Sequence, residues 1–295
     1  MNNFNGLNNL GNTCFFNSAL QLLCQCTILN KLLINNLFNG RIIDQYKNFI
    51  NQYTSTHNSI ITPAPIISFI SNDLMRNGAS QEDAEQYLNY IINNLIEELN
   101  IFIKDNNMND NKISNKNITL ESLINNIFTI NFKKTIICSL CSFQSISSEI
   151  DNKLYLSTND NMSLNDLILH NMNEKLDDEN KYKCDKCNQY GCATINKEII
   201  GYPKYLIITL KRYTNTNDKI NTPINMEHKL DFNKCKYELR GFIYHSGITN
   251  GGHYVYFGKR DNIWYLFNDS QLNIINNSEL NNIINYGYVY LYSKV

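Results

Sequence analysis

The spacing of apolar residues predicts that the N-terminal third of the chain is mostly α-helical. In residues 12–33, for example, Phe15 and Ala19 fall on one face of a helix. Asn12 and Thr13 stand at the start of this stretch and are typical helix N-cap residues. The stretches with helical spacing are residues 12–33, 66–75 and 81–102.

The pattern changes after residues 104–117, which are polar and aperiodic and predict a mobile surface loop. Beyond this segment, β-branched and aromatic residues predominate, which is typical of strands. The predicted strands are residues 128–137, 142–150, 205–213, 237–245, 253–259, 263–267 and 286–293, with a short helix at residues 163–170. Helices followed by strands predict an α+β fold.

Composition and charge exclude several classes of function. The 295 residues include 43% hydrophobic ones and carry a net charge of −1, so nucleic acid is not an expected partner. No apolar stretch has the length of a membrane span, and the first residues do not have the pattern of a signal peptide. We therefore expect a cytoplasmic or nuclear protein whose nine cysteines are thiols or metal ligands.

The segment around Cys14 has the residue types of a cysteine nucleophile. It reads Gly-Leu-Asn-Asn-Leu-Gly-Asn-Thr-Cys-Phe-Phe-Asn-Ser over residues 6–18. A cysteine in the first turn of a helix has its thiolate stabilised by the helix dipole and by free backbone N–H groups. Asn9 is a candidate donor to a developing oxyanion. The alternative is a buried structural cysteine, which is our interpretation of Cys24 and Cys26.

His253 is the candidate general base. It follows Gly251 and Gly252 at the start of a predicted strand, an arrangement that leaves an open backbone beside the imidazole. His245 is the competing histidine, and we interpret it as structural because it lies within the preceding strand pattern.

Asn268 and Asp269 form a candidate third member of a catalytic triad. They follow the next predicted strand, about 15 residues after His253. A polar side chain at that point can orient the imidazole and fix its tautomer. The alternative is an ordinary turn, which Asn-Asp-Ser also favours.

Two Cys-x-x-Cys pairs predict a metal site. Four thiolates in a reducing compartment match a closed tetrahedral zinc site, which is structural because no ligand position stays open. A redox function is less consistent, because neither pair opens a helix after a strand. The four cysteines are Cys138, Cys141, Cys184 and Cys187, and the leftover thiols are Cys192 and Cys235.

In order along the chain, these blocks resemble the ubiquitin-specific protease family. Residues 6–18 are similar to its cysteine box, and residues 237–257 with 264–270 are similar to its histidine box. Three further blocks resemble its Gln-Asp-Ala helix, a palm strand and the terminal strand: residues 81–88, 208–213 and 286–292.

The resemblance implies a papain-like cysteine protease core with an α-rich thumb, a β-rich palm and zinc-tipped β fingers. On this basis one catalytic domain covers residues 1–295, with the thumb at about 1–120, the fingers at 125–200 and the palm at 201–295.

It also implies a deubiquitinating reaction, in which Cys14 is the nucleophile, His253 the base and Asn268 the third member, with Asp269 beside it. Asn9 takes the oxyanion-stabilising position.

For binding, the resemblance implies that ubiquitin and ubiquitinated proteins are the partners of a monomer. The tail of ubiquitin ends in Gly-Gly, so a narrow channel beside Gly251 and Gly252 is expected, and Tyr254 is a further substrate-binding candidate. Asp83 is a candidate partner for an arginine of the tail, the alternative being a solvated helix charge. The only expected cofactor is structural zinc. Two other functions stay open: a ubiquitin-binding module without catalysis, and a protease for another ubiquitin-like modifier.

Overall fold

The computed structural model describes residues 4–74, 82–106, 112–113, 118–158, 162–177, 179–214, 218–232, 235–248 and 251–295. Every candidate site residue lies within these ranges. Gln81, Met75 and most of the predicted loop at residues 104–117 lie outside them.

Helices dominate the first 130 residues, as the apolar spacing predicts. The helices of the described ranges are α1 (Cys14–Cys24), α2 (Thr27–Asn35), α3 (Arg41–Ser55), α4 (Ala64–Asp73), α5 (Ala84–Asp105), α6 (Leu120–Phe128), α7 (Leu164–Asn171) and α8 (Asn277–Ile283). The helix predicted at residues 12–33 is in fact two helices that meet at Gln25. The Gln25 side chain donates to the backbone oxygens of Arg240 and Lys259, at 3.4 and 3.3 Å, so tertiary contacts fix the break.

Strands make up most of the chain after α6. In chain order they are β1 (Gly6–Leu7), β2 (Ile60–Ile61), β3 (Lys112–Ile113), β4 (Ile118–Thr119), β5 (Ile130–Cys138), β6 (Gln144–Asp151), β7 (Leu154–Ser157), β8 (Asn173–Leu176), β9 (Tyr182–Lys183), β10 (Tyr190–Gly191), β11 (Ala193–Gly201), β12 (Tyr205–Lys211), β13 (Lys229–Phe232), β14 (Cys235–Ile248), β15 (Gly251–Arg260), β16 (Ile263–Asn268), β17 (Gln271–Ile275) and β18 (Val289–Lys294). The α+β fold class is confirmed.

Two sheets organise these strands. The main sheet has the order β17-β16-β15-β14-β18-β12-β7, with β13 paired to β14. In a smaller sheet, β6-β5-β11-β8, the β5-β6 hairpin holds Cys138 and Cys141, whereas Cys184 and Cys187 lie in the separate two-stranded hairpin β9-β10. The main sheet is antiparallel except where β12 pairs with β7.

The main sheet is buried on both faces. Its side chains alternate between two hydrophobic cores, because successive residues of a strand point to opposite faces. Ile207 and Ile243 pack with the N-terminal helices, whereas Ile208 and Phe242 pack in a second core with α7 and α8. Strand β12 is therefore almost uniformly apolar.

Strand β1 contacts two segments that are distant from it in the sequence. Strand β1 pairs in parallel with β2, and the Leu7 N–H donates to the Asp269 backbone oxygen at 2.8 Å. The segment leading to α1 is thereby held beside the turn between β16 and β17. Among the described helices, none combines the length and the apolar composition that crossing a bilayer requires.

Candidate active site

Cys14 is the first residue of α1, and two features of the preceding loop position it there. Gly11 and Asn12 adopt positive φ angles of 96° and 53°, which turn the chain sharply into the helix. Gly6 packs so closely on the Ser270 backbone that a Cβ atom would overlap it. Gly6 is thus required at a close approach between backbones, and Gly11 is required at a tight turn.

The thiol of Cys14 is buried, with 1% of the residue exposed. Burial raises the pKa of the Cys14 thiol above its ordinary value, and the charge of Asp269 raises it further. Backbone N–H groups of Tyr254, Phe15 and Cys14 itself lower this pKa. These N–H groups therefore stabilise the Cys14 thiolate, as expected at a helix N-terminus, but burial raises the pKa by more than they lower it.

His253 is positioned by β15 and contacts Asn268 at the end of β16. The His253 Nε2 lies 2.6 Å from the Asn268 Oδ1, whereas it lies 4.0 Å from the nearer Asp269 oxygen. An imidazole that donates from Nε2 to an amide oxygen keeps Nδ1 as the basic nitrogen. Within the described ranges, no hydrogen bond joins this ring to the Cys14 thiol.

Asp269 connects the loop before Cys14 to helix α1. Asp269 has a φ angle of +50°, and its two carboxylate oxygens accept hydrogen bonds from different side chains. Oδ2 accepts from Asn9 Nδ2 at 2.8 Å, and Oδ1 accepts from Asn17 Nδ2 at 2.7 Å. This carboxylate therefore fixes the asparagine proposed for the oxyanion, rather than contacting the imidazole directly.

Asn17 is a site residue that the sequence analysis missed. It lies one turn after Cys14, is 2% exposed, and also donates to the backbone oxygens of Leu7 and Asn8, at 3.4 and 3.2 Å. The available signal was a polar residue within the otherwise apolar run of α1, because a buried polar group must find hydrogen-bond partners.

The Asn9 side chain uses both ends of its amide. Its Oδ1 accepts from the backbone N–H groups of Gly11 and Thr13, at 3.0 and 3.1 Å. Its Nδ2 donates one hydrogen to Asp269, and an amide nitrogen carries two. These three hydrogen bonds fix the plane of the Asn9 amide, and with it the direction of the second Nδ2–H bond.

His245 has the structural role that the strand pattern indicated. Its Nδ1 lies 2.6 Å from the Tyr213 hydroxyl, and its ring packs on Tyr254 with centroids 4.2 Å apart. Burial, followed by the charges of Lys219 and His253, lowers the pKa of His245 to about 4. The ring is consequently neutral at physiological pH.

Gly251 and Gly252 differ in the space around them. A Cβ atom at Gly252 would overlap the Ser246 backbone oxygen and the His245 ring, whereas a Cβ at Gly251 would meet nothing within 4 Å. Tyr254, two residues further along β15, is 6% exposed. Gly252 is therefore confined by the strand pair, and Gly251 borders open space.

Asp83 caps helix α5. Its Oδ1 accepts from the Glu85 N–H and its Oδ2 accepts from the Tyr288 hydroxyl, both at 2.7 Å. Burial raises the pKa of this carboxyl above its ordinary value. Both carboxylate oxygens of Asp83 therefore accept hydrogen bonds from other residues of the protein.

The four paired cysteines converge, with their sulfur atoms all within 4.8 Å of one another. The Cys138 and Cys187 sulfurs are 4.0 Å apart, and those of Cys141 and Cys184 are 3.6 Å apart. Zinc bonded to four sulfurs at ~2.3 Å places them ~3.8 Å apart in a tetrahedron. The thiol arrangement fits that ion.

Both cysteine pairs lie in turns of the same geometry. Ser142 and Asn188 each follow the second cysteine with φ of 56° and 57°, and their N–H groups donate to the first cysteine's oxygen at 2.9 and 2.8 Å. Each pair thus forms a tight knuckle between two strands, and neither opens a helix.

Comparison with known proteins gives a consistent result over nearly the whole chain. A family model described as ubiquitin carboxyl-terminal hydrolase matches residues 5–292. Among curated relatives, the chain is 27% identical to Ubiquitin carboxyl-terminal hydrolase Usp2 of Drosophila melanogaster, over 98% of this chain and 34% of that protein.

Two further relatives extend this comparison. Probable ubiquitin carboxyl-terminal hydrolase 16 of Schizosaccharomyces pombe is 28% identical, over 100% of this chain and 67% of that protein. Ubiquitin carboxyl-terminal hydrolase 2 of Homo sapiens is 26% identical, over 93% of this chain and 53% of that protein. The chain therefore spans between about a third and two thirds of the length of these relatives.

Proposed function

The chain belongs to the ubiquitin carboxyl-terminal hydrolase family, and from that premise we propose that it is a deubiquitinating cysteine protease. It hydrolyses the peptide or isopeptide bond after the C-terminal glycine of ubiquitin. The observation that carries the proposal is the pairing of His253 with Asn268 at 2.6 Å, on the strands that border the buried Cys14.

The geometry of the site supports a role for each of three residues. Cys14 is the nucleophile, because it begins α1 and its thiol receives the Tyr254 backbone N–H. His253 is the general base through Nδ1, and Asn268 orients it through Nε2. Of the two candidates for the third position, Asn268 is supported by its shorter distance to the imidazole.

The reaction is acyl transfer followed by hydrolysis. His253 takes the Cys14 proton, and the thiolate attacks the carbonyl carbon of the terminal glycine. His253 returns the proton to the leaving lysine amine, which leaves a thioester on Cys14. Water then attacks the thioester, and the thiol is regenerated with its proton.

Asn9 and the Cys14 backbone N–H stabilise the tetrahedral oxyanion. Asn9 is supported in this role by the hydrogen bonds that fix both ends of its amide. A donor held in place before the reaction needs no reorganisation in the transition state. Asp269 acts here as a positioning residue for Asn9.

The tail of ubiquitin passes Gly251, Gly252 and Tyr254, in a channel that excludes side chains. Asp83 binds an arginine of this tail. An Asp83→Asn variant keeps the oxygen that caps α5 but loses the charge, so it raises KM without lowering Tm. An unchanged KM contradicts this role.

Zinc is held by Cys138, Cys141, Cys184 and Cys187. It supplies a structural cross-link between the two knuckles and has no part in the chemistry, since four thiolates leave no open position. The domain then divides as the resemblance implies, into a thumb at about residues 1–120, fingers at 125–200 and a palm at 201–295. None of the nine cysteines forms a disulfide bond, which supports a protein of the cytoplasm or nucleus. We further propose that the enzyme acts as a monomer.

The deciding experiment is labelling by ubiquitin that carries a C-terminal electrophile. The parent protein is compared with Cys14→Ala and with Cys192→Ala, which removes an exposed thiol instead. A covalent adduct on the parent and on Cys192→Ala, absent from Cys14→Ala, supports the proposal.

Failure to label the parent points to one of two other functions. Adducts with a probe built on another ubiquitin-like modifier identify a protease for that modifier. Binding of ubiquitin without any adduct identifies a ubiquitin-binding module.

A further inference from the structure

A cavity of about 360 Å³ lies at the opposite end of α1 and β15 from the candidate active site. Cys14 and His253 lie near the first residues of these elements, and Cys24 and Arg260 are their last residues. The seven residues of strand from His253 to Arg260 span ~23 Å. The cavity is therefore separate from the proposed catalytic centre.

The lining of this cavity is strongly basic, although the whole chain carries a net charge of −1. Basic residues from three different strands and one adjoining loop line it, and one acidic residue, Asp261, lies among them. The basic residues that line the cavity are Lys204, Arg240, Lys259, Arg260 and Lys294. Such a cluster repels itself unless an anion compensates it.

Protein carboxylates compensate only part of this charge. Glu238 pairs with Lys259 at 2.8 Å and with Arg240 at 3.3 Å. Lys204 and Lys294 form no ion pair with any described residue. The two lysines are neighbours, because the Lys294 N–H donates to the Lys204 oxygen at 2.8 Å.

Arg260 is the most unusual of the five. It is only 7% exposed, and its Nη1 is buried without a hydrogen-bond partner. Its neighbours are the Tyr53 hydroxyl and the Phe267 ring, whose centroid lies 5.7 Å from the guanidinium carbon. A buried guanidinium donor without an acceptor costs free energy, and the negative end of the α1 dipole offsets this only partly.

We propose that this cavity binds a small molecule with several phosphate groups. Arginine forks match phosphate oxygens and lysines add point charges, so the five cations complement more than one phosphate. The volume falls in the range of ligand sites and exceeds the ~30 Å³ that one water occupies. Arg260, which also lines the cavity, adds a further positive charge beside the phosphate groups.

Binding is measured by isothermal titration calorimetry at physiological ionic strength. Inositol hexakisphosphate and ATP are the two polyphosphate probes, and inorganic phosphate is the reference. The test variant is Lys204→Gln with Lys294→Gln, which keeps the side-chain stems and the backbone hydrogen bond. The control is Lys133→Gln with Lys175→Gln, which removes two exposed lysines elsewhere.

The parent should bind one polyphosphate per chain, and bind it more tightly than inorganic phosphate. The test variant should weaken binding by at least about tenfold, because it removes two charge-assisted contacts, whereas the control should match the parent. The tighter of the two probes identifies whether a nucleotide or an inositol phosphate is the source. Neither outcome depends on protease activity.

A second variant tests the buried arginine. The polyphosphate should raise Tm of the parent, because a ligand that binds only the folded state stabilises it. Arg260→Gln should lose most of that increase. Absence of saturable binding by both polyphosphates, or equal weakening in the test and control variants, overturns the proposal even if Arg260→Gln does not fold.

Discussion

Asp269 accepts a hydrogen bond of 2.8 Å from Asn9, although 260 residues separate them along the chain. The other oxygen of the same carboxylate holds Asn17, on the first turns of α1. One side chain from the C-terminal half thus fixes the residues on both sides of Cys14. Its charge also acts on the thiol, which leads to the first prediction.

Asp269→Asn should lower the pKa of the Cys14 thiol. The folded-state pKa is raised mainly by burial and secondarily by the Asp269 charge, so removing the charge leaves only the first cause. Alkylation of Cys14 by iodoacetamide should therefore rise at a lower pH than in the parent. Mass spectrometry of the Cys14 peptide measures this rate. Asp44→Asn, at an exposed position on α3, should leave the profile unchanged, and a profile shifted upward by Asp269→Asn refutes the assignment.

Asn9→Ala should lower kcat for a fluorogenic ubiquitin substrate by ~10²–10³, the usual effect of losing an oxyanion donor. KM should stay close to that of the parent, because the donor acts in the transition state. Asn8→Ala is the matched control, since it removes the neighbouring amide, which bonds Thr62 instead. Equal turnover in Asn9→Ala and the parent would exclude the role.

Asn268→Ala should reduce kcat strongly, by up to ~10⁴, because the imidazole loses the group that fixes its tautomer. Asn268→Asp should keep most of the activity, since a carboxylate also accepts from Nε2. Asn273→Ala, on β17, is the control. Full activity in Asn268→Ala would indicate that Asp269, and not Asn268, orients the His253 imidazole.

Gly251→Ala should alter KM, whereas Gly252→Ala should lower Tm. At Gly252 a methyl group overlaps the Ser246 oxygen and His245, so Tm should fall and His253 should be displaced. At Gly251 the methyl group has space, so Tm should hold while KM for ubiquitin rises if the residue borders the channel. Thermal unfolding and steady-state kinetics separate the two. A parent-like KM for Gly251→Ala removes that residue from the channel.

Cys184→Ser should abolish zinc binding and lower the free energy of unfolding by more than ~4 kcal/mol, as loss of a structural metal does. The parent should contain one zinc per chain by elemental mass spectrometry. Cys192→Ser, at an exposed thiol outside the cluster, should keep both the zinc and the stability. Purified parent without zinc, at unchanged stability after chelation, contradicts a structural ion.

Local pattern was sufficient to predict the helical start of α1, most of the strands and the α+β class. It did not predict the break at Gln25, because the backbone oxygens that bind its side chain come from β14 and β15. Helix α3 was not among the predicted helices, although Tyr46, Phe49 and Tyr53 are buried at helical spacing. Apolar residues at this spacing among polar ones are typical of an amphipathic helix, so α3 was predictable from the sequence.

The sequence predicted which residues form the candidate site, but it did not predict the hydrogen bonds between them. Nothing local to Asp269 indicates that it binds Asn9 and Asn17, since those contacts depend on the pairing of distant strands. The upward shift of the Cys14 thiol pKa was also not predictable from the sequence. The helix N-terminus predicts a stabilised thiolate, and only the fold reveals how deeply the thiol is buried.

The separation of Asn9 and Cys14 from His253, Asn268 and Asp269 has a consequence for biosynthesis. Cys14 is synthesised 239 residues before His253 and 255 residues before Asp269. The nascent chain therefore carries the Cys14 thiol without its proposed base throughout the synthesis of the residues between them.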